Sequence, residues 1–409
     1  MARLQVIDLF CGAGGFSEGF RQMGFDVTYA VDNWQPAIDA HSLNQPETRT
    51  MKADIETLDP NLFKEYKPDV LIGGPPCTEF SGSKRGGGGD VKKGMKLVLA
   101  FFRFVHTLKP RYWVMENVPR LLQTLPHRVR LQDMGVPEDG FFDIPRREVF
   151  NSADFGAPQR RLRLLSGRYP TPVQTHFEES MLTLDNLLYQ PWVPMRTVVD
   201  AFPDPIGRVP RGKVVEDPNY PGLELKAGGL ENHFVKPEEA LMTKKEAERN
   251  RKQKVAHAYY GKMQFPDLFD RRTRDSKTVL DSLFVSPKTR MEAPGLFEGR
   301  NPDVKAILDF LDRPARTVMA TQFNASRETM IIATKHGGEI RYRKPTVREC
   351  ASLQCYPITY KFHGRTLTTN YKLVGNSVPV KLSAAIAKAI LKDESLPVPA
   401  SPMMQLTRA

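Results

Sequence analysis

The sequence predicts an α/β fold: a doubly wound, mostly parallel sheet carrying a smaller irregular domain. Three observations lead there. Short apolar runs alternate with helical patterns through about the first 165 residues. That order dissolves between about 170 and 330, where prolines are frequent and periodicity is poor. It returns near the end of the chain in two periodic segments, 345–354 and 377–392.

The elements follow in order. "LQVIDLF" (4–10) is a strand, and a glycine turn leads from it into the amphipathic helix "FSEGFRQMG" (16–24), closed by Gly24. "DVTYAVD" (26–32) is a strand, "PAIDAHSLN" (36–44) a helix, and "TRTMKAD" (48–54) a short third strand. "DVLIGG" (69–74) is a buried strand, "LVLAFFRFVHTL" (97–108) a helix, "RYWVMENV" (111–118) a strand and "RLRLLSG" (161–167) a late strand. In "PTVRECASLQ", Thr346 and Glu349 stand at capping-box spacing. The expected division is 1–170 and 336–392 for the sheet domain, 171–335 for the irregular domain, and a disordered tail over 393–409.

Composition bounds the function. The chain has 409 residues, 40% of them apolar and 26% charged, with no apolar run long enough to span a bilayer. "MARLQVIDLF" reads as a first strand and not as a signal peptide. The four cysteines, Cys11, Cys77, Cys350 and Cys355, fit a reducing, cytoplasmic setting in which one cysteine can be catalytic. Cys350 and Cys355 have no second ligand pair nearby, so no metal site is expected. The net charge of +12 favours a polyanionic partner. Residues 241–290 hold thirteen Lys/Arg against six Asp/Glu, which gives that stretch +7.

The chemistry-bearing residues fall at successive strand ends. "DLFCGAGGFSEGF" (8–20) joins a strand-end acid, a glycine turn and a helix start, where backbone and helix dipole approach an anionic ligand group. The spacing is not GxGxxG, which speaks against an NAD enzyme. Asp32 ends the second strand, where a carboxylate can accept from ribose hydroxyls; Trp34 can stack on adenine, and Asp54 can meet an adenine amino group. Together these favour an adenosine-containing cofactor. Cys77 follows the fourth strand in "GGPPCTEFS", stiffened by two prolines. The next segment, 81–94, holds six glycines and four basic residues and reads as a lid over a phosphate backbone. Glu116 and Asn117 end the fifth strand on the same edge, and Arg161 and Arg163 alternate onto one face, suited to an anionic or carbonyl-rich ligand.

Six blocks in order, "DLFCGAGGFSEGF", "GGPPCTEFSG", "ENVP", "QRRLR", "RECASLQCYP" and "GNSVPVKLSAAIAKAI", resemble the motifs of the DNA (cytosine-5) methyltransferases. The resemblance implies an S-adenosylmethionine-dependent methyltransferase (Rossmann-like) sheet, with a target-recognition domain in the variable middle. It implies Cys77 as nucleophile at cytosine C6, Glu116 at N3 and the 4-amino group, and Arg163 with Arg161 at the O2 side and a neighbouring phosphate. It assigns Phe10, Gly12, Gly14 and Gly15 to the cofactor turn, Asp32, Trp34 and Asp54 to adenosine, and Asn376 and Ser377 to the methionine end. It implies a monomer acting on double-stranded DNA in a bacterial or phage-encoded setting, paired with a restriction endonuclease or standing alone. The family usually has Gln where Thr78 stands and often Glu where Asp32 stands. An RNA-directed branch of the same fold and a silent DNA-binding homologue are the competing readings; the presence of Cys77, Glu116, Arg161 and Arg163 speaks against the second.

Overall fold

A computed structural model describes residues 3–77, 80, 90–178, 190–202, 215–217, 220–225, 311–320, 330, 332–336, 339–343 and 345–399. Thr78, the segment 81–89, the basic stretch 241–290 and the tail from 400 lie outside the described residues.

The first strands alternate two apolar faces, which is why they pair into a sheet covered on both sides. They are β1 (Gln5–Leu9), β2 (Asp26–Asp32), β3 (Arg49–Lys52), β4 (Val70–Gly73) and β5 (Tyr112–Asn117). Between them run α1 (Gly15–Gln22), α2 (Gln35–Asn44) and α3 (Val91–Leu108). A short hairpin of β6 (Arg128–Arg130) and β7 (Phe141–Asp143) precedes β8 (Arg146–Asn151) and β9 (Leu162–Arg168). The seven-stranded order is β3-β2-β1-β4-β5-β9-β8. Pairing is parallel from β3 to β5 and antiparallel at β5–β9 and β8–β9.

Alternation along the strands sends Ile7, Leu9, Leu71, Trp113 and Met115 to one core, with Phe101, Phe102 and Phe104 of α3. Val6, Val70, Ile72, Tyr112 and Val114 go to the other, with Phe16 and Phe20 of α1. α1 runs close enough to a late helix that Gly19 is required. An added Cβ there would meet the Ser383 side chain and stand 2.6 Å from Ala384 N. Ser383 Oγ also donates to the Phe16 carbonyl at 2.5 Å.

Chain contacts divide the molecule into two units: 1–157, 161–191 and 377–401 form the first, and 158–160, 192–376 and 402–409 the second. In the second, α4 (Arg196–Val199), the hairpins β12 (Val215–Asp217)/β13 (Tyr220–Leu225) and β14 (Ile332–His336)/β15 (Glu339–Arg343), α5 (Val347–Leu353) and α6 (Leu367–Gly375) are defined. The first unit adds the parallel pair β10 (His176–Phe177)/β11 (Gln190–Pro191) and α7 (Val380–Asp393).

The capping box expected at Thr346 and Glu349 is complete: Glu349 N donates to Thr346 Oγ1 at 3.1 Å and Thr346 N donates to Glu349 Oε2 at 2.7 Å. Arg348, 1% exposed, donates to the carbonyls of Pro357 and Tyr360, which is a structural use of its charge. Two local expectations shift. α3 starts at Val91 and not at 97, because the Asp90 carboxylate caps it by accepting from Lys93 N. Arg161 stands just before β9 and not within it. Among the described residues no helix is long and apolar enough to cross a membrane.

Candidate active site

Parallel neighbours β1, β2, β4 and β5 end on one edge, and their ends carry the site. The turn after β1 is the most strained stretch there. Phe10 (φ 58°), Gly12 (φ 55°) and Gly14 (φ 87°) all take left-handed backbone. For a phenylalanine that conformation costs energy and marks a shape held for a purpose. Gly14 is the N-cap of α1 and supplies no side chain, and Gly15 is its first residue. A Cβ added at Gly12 would meet nothing within 4 Å, so the turn opens onto free space. These features make a cradle for an anionic ligand group.

Asp32 braces the cradle. Its Oδ2 accepts from Gly12 N at 2.9 Å and its Oδ1 from Trp34 N at 2.8 Å. Trp34 is half-buried at the start of α2. Asp54 is exposed, and its Oδ1 accepts from Glu56 N at 3.0 Å, folding the turn after β3 onto itself. Arg103 of α3 fixes that turn, donating from Nη2 to the carbonyls of Ile55, Glu56 and Leu58.

Cys77 comes four residues after β4, half-buried. The Asn117 side chain holds its approach, donating to the Pro75 carbonyl at 3.0 Å, while Cys77 O accepts from Phe80 N at 3.0 Å. Glu116, the neighbour of Asn117 on β5, is 8% exposed and pairs with Arg163 of β9 (Nε to Oε1 2.5 Å). Its other oxygen faces Gly74, where an added Cβ would stand 3.4 Å away. Arg163 also donates to the Leu162 carbonyl at 2.7 Å. Arg161, 2% exposed, donates from Nη2 to the Ser377 carbonyl at 2.9 Å, tying the start of the C-terminal segment to the β9 end.

The electrostatics join these groups. Burial pushes the Cys77 thiol up; the Arg163 and Arg161 guanidiniums oppose that, and the Glu116 charge adds to it. Cys77, Glu116, Arg161 and Arg163 therefore act on one another. Cys11, 5% exposed, is held protonated by burial and by the charges of Asp32 and Asp8, as suits a packed side chain. Asn376 caps the end of α6 in the second unit, whereas Ser377 belongs to the first. Asn117 is the supporting residue whose role the sequence did not assign; its place beside Glu116 at a strand end was the available signal.

A doubly wound sheet with a glycine turn after the first strand and a cysteine–glutamate–arginine cluster two strands on has the Rossmann-like architecture. The model of the C-5 cytosine-specific DNA methylase family matches residues 4–182 and 212–392, so the chain belongs to that family. It is an enzyme that methylates C5 of cytosine in DNA. It is 28% identical to the Type II methyltransferase M.AgeI of Thalassovita gelatinovora, covering 95% of this chain and 99% of that protein. It is 29% identical to the Type II methyltransferase M.XorII of Xanthomonas oryzae pv. oryzae, covering 96% and 85%. The fold matches that of the Entamoeba histolytica methyltransferase EhMeth with a TM-score of 0.56 at 13% identity, covering 96% of this chain and 99% of that one.

Proposed function

We propose that this chain methylates a flipped-out cytosine within a specific duplex DNA sequence, through a transient covalent bond between Cys77 and C6, using S-adenosylmethionine. The residues of the cradle fit that cofactor: the open Gly12 and the start of α1, where the N-cap Gly14 brings no side chain, suit its carboxylate, and the braced Asp32 suits its ribose. Phe10, Gly14, Gly15, Trp34, Asp54 and Ser377 would complete the site. When bound, S-adenosylmethionine supplies an electrophilic methyl group, which C5 of the activated ring accepts.

Cytosine C5 is a weak nucleophile, so the ring must first be activated. The Cys77 thiolate adds at C6, and the ring π electrons move toward N3 and C5. Glu116 contacts N3 and the 4-amino group and supports the protonated N3 of the adduct. Arg163 and Arg161 hold the O2 side and a neighbouring phosphate. After transfer, loss of the C5 proton restores the double bond and expels Cys77 as thiolate. The observation that carries this reading is the electrostatic coupling of the Cys77 thiol to the Glu116–Arg163 pair at adjacent strand ends.

The similarity to Type II methyltransferases over nearly the whole chain supports a role as a modification enzyme beside a restriction endonuclease. Bisulfite sequencing of DNA from cells expressing the protein tests the function. A methylated cytosine in one recurring duplex sequence is expected, absent with Cys77→Ser. Conversion of every cytosine in the wild-type sample would refute it.

A further inference from the structure

Beside the β1 turn, three polar side chains that the proposed chemistry does not use form a buried row. Asp8 of β1, Ser17 of α1 and His41 of α2 are each 0% exposed. Ser17 Oγ lies 2.5 Å from Asp8 Oδ2 and 3.1 Å from His41 Nε2. A hydroxyl has one hydrogen, and above about pH 7 the Asp8 carboxyl is ionised and only accepts. In that form Ser17 donates to Asp8, and His41 donates its Nε2–H to Ser17. That assignment leaves Nδ1 without a hydrogen, in keeping with a buried Nδ1 that has no partner, as Asp8 Oδ1 has none. The row is not a hydrolytic triad: the serine stands between acid and imidazole, and solvent reaches none of the three.

Its position gives it another use. Asp8 lies on the strand side of the glycine turn and Ser17 on the helix side, so their bond closes the turn at its base. The turn contains two glycines and a phenylalanine in left-handed backbone, a stretch with much freedom to lose. His41 anchors the closing bond to α2. From the same helix end, Gln45 Nε2 donates to the Gly14 carbonyl at 3.2 Å. At the other end, α2 begins three residues beyond Asp32, which itself accepts from Gly12 N.

We propose that His41 is a positioning residue for the cofactor, fixing the glycine turn in its binding shape through Ser17 and Asp8. This rests on the reading that the turn binds S-adenosylmethionine. The test compares the full-length wild type with His41→Leu, His41→Gln and Ser17→Ala. At about pH 8, where Asp8 is ionised, calorimetry with S-adenosylmethionine gives Kd, and methylation of duplex DNA gives KM for the cofactor and kcat. His41→Leu and Ser17→Ala should each weaken the cofactor about tenfold in Kd and KM, the scale of one lost buried hydrogen bond, with kcat at saturation within about twofold. His41→Gln, which restores an N–H, should recover most of the affinity. Unchanged Kd in both His41→Leu and Ser17→Ala overturns the proposal, as does a loss in His41→Gln as large as in His41→Leu, which would mark simple packing. If His41→Leu does not fold, Ser17→Ala, which removes a single oxygen, decides alone. Failure of the wild type itself to bind the cofactor would instead sink the cofactor reading on which the proposal stands.

Discussion

Replacing Asp8 with asparagine should change how the stability of the sheet unit depends on pH. Burial is the main reason that the Asp8 carboxyl is raised from 3.8 to about 7, with the Asp32 charge adding and the Ser17 bond opposing. The titratable groups that face it are Asp32, Cys11 and, through Ser17, His41; β4, beside β1, offers none. Between those two values the folded state keeps a proton that the unfolded chain has released. Stability from this group therefore rises as pH falls through 7 and levels off near 4.

With the slope of about 1.4 kcal/mol per pH unit, the gain between pH 7.5 and pH 5 is about 2–3 kcal/mol. His41 and His176 act oppositely: burial pushes each down from 6.5 to about 4, so their contribution is present above 6.5 and is lost as pH falls toward 4. Those terms are common to wild type and Asp8→Asn, so the difference between the two proteins isolates Asp8. The assay is guanidinium unfolding followed by Trp34 and the buried Trp113, both of the sheet unit, with Trp192 of the other unit replaced by Phe in both proteins. The wild type should gain about 2–3 kcal/mol over the variant on going from pH 7.5 to 5. A difference that stays constant, or that changes in the other direction, refutes the reasoning.

Other outcomes follow from the same geometry. Arg163→Ala strips the Glu116 carboxylate of its 2.5 Å partner and should lower kcat/KM at least about 100-fold, about 3 kcal/mol, in a methylation assay. Alkylation of Cys77 by iodoacetamide should be slow at neutral pH and accelerate at alkaline pH; Glu116→Gln should move the onset down and Arg163→Met should move it up, since those charges act on the thiol with opposite sign. Gly19→Ala should destabilise the sheet unit by about 1–3 kcal/mol in thermal or chemical unfolding, because its Cβ would press on Ser383 and stand 2.6 Å from Ala384 N.

Much of the sheet was legible because its strands carry the signal. β1, β4 and β5 are apolar on both faces and flanked by turn residues, so length and punctuation identify them. β8, "RREVFN", was missed because it is an edge strand of half-buried and exposed residues with no apolar face to announce it. α6 was missed because "LTTNYKLVG" is rich in poor helix formers; burial of Tyr371, Leu373 and Val374 and the Thr366 cap hold it instead. Cys77 and Glu116 were readable as strand-end residues. The Asp8–Ser17–His41 row was not, because its members come from three elements that meet only when the sheet is assembled.

The most direct test asks whether the Cys77 sulfur bonds to the target base. Duplex DNA in which 5-fluorocytosine replaces cytosine cannot lose a proton from C5 after methyl transfer, so the bond formed at C6 should persist. With S-adenosylmethionine present, the account predicts a denaturant-stable complex whose mass equals protein plus methylated DNA, with the crosslinked peptide containing Cys77 and no complex from Cys77→Ala. A wild-type protein that binds both ligands yet forms no such complex, or a Cys77→Ala protein that still forms one, would contradict it.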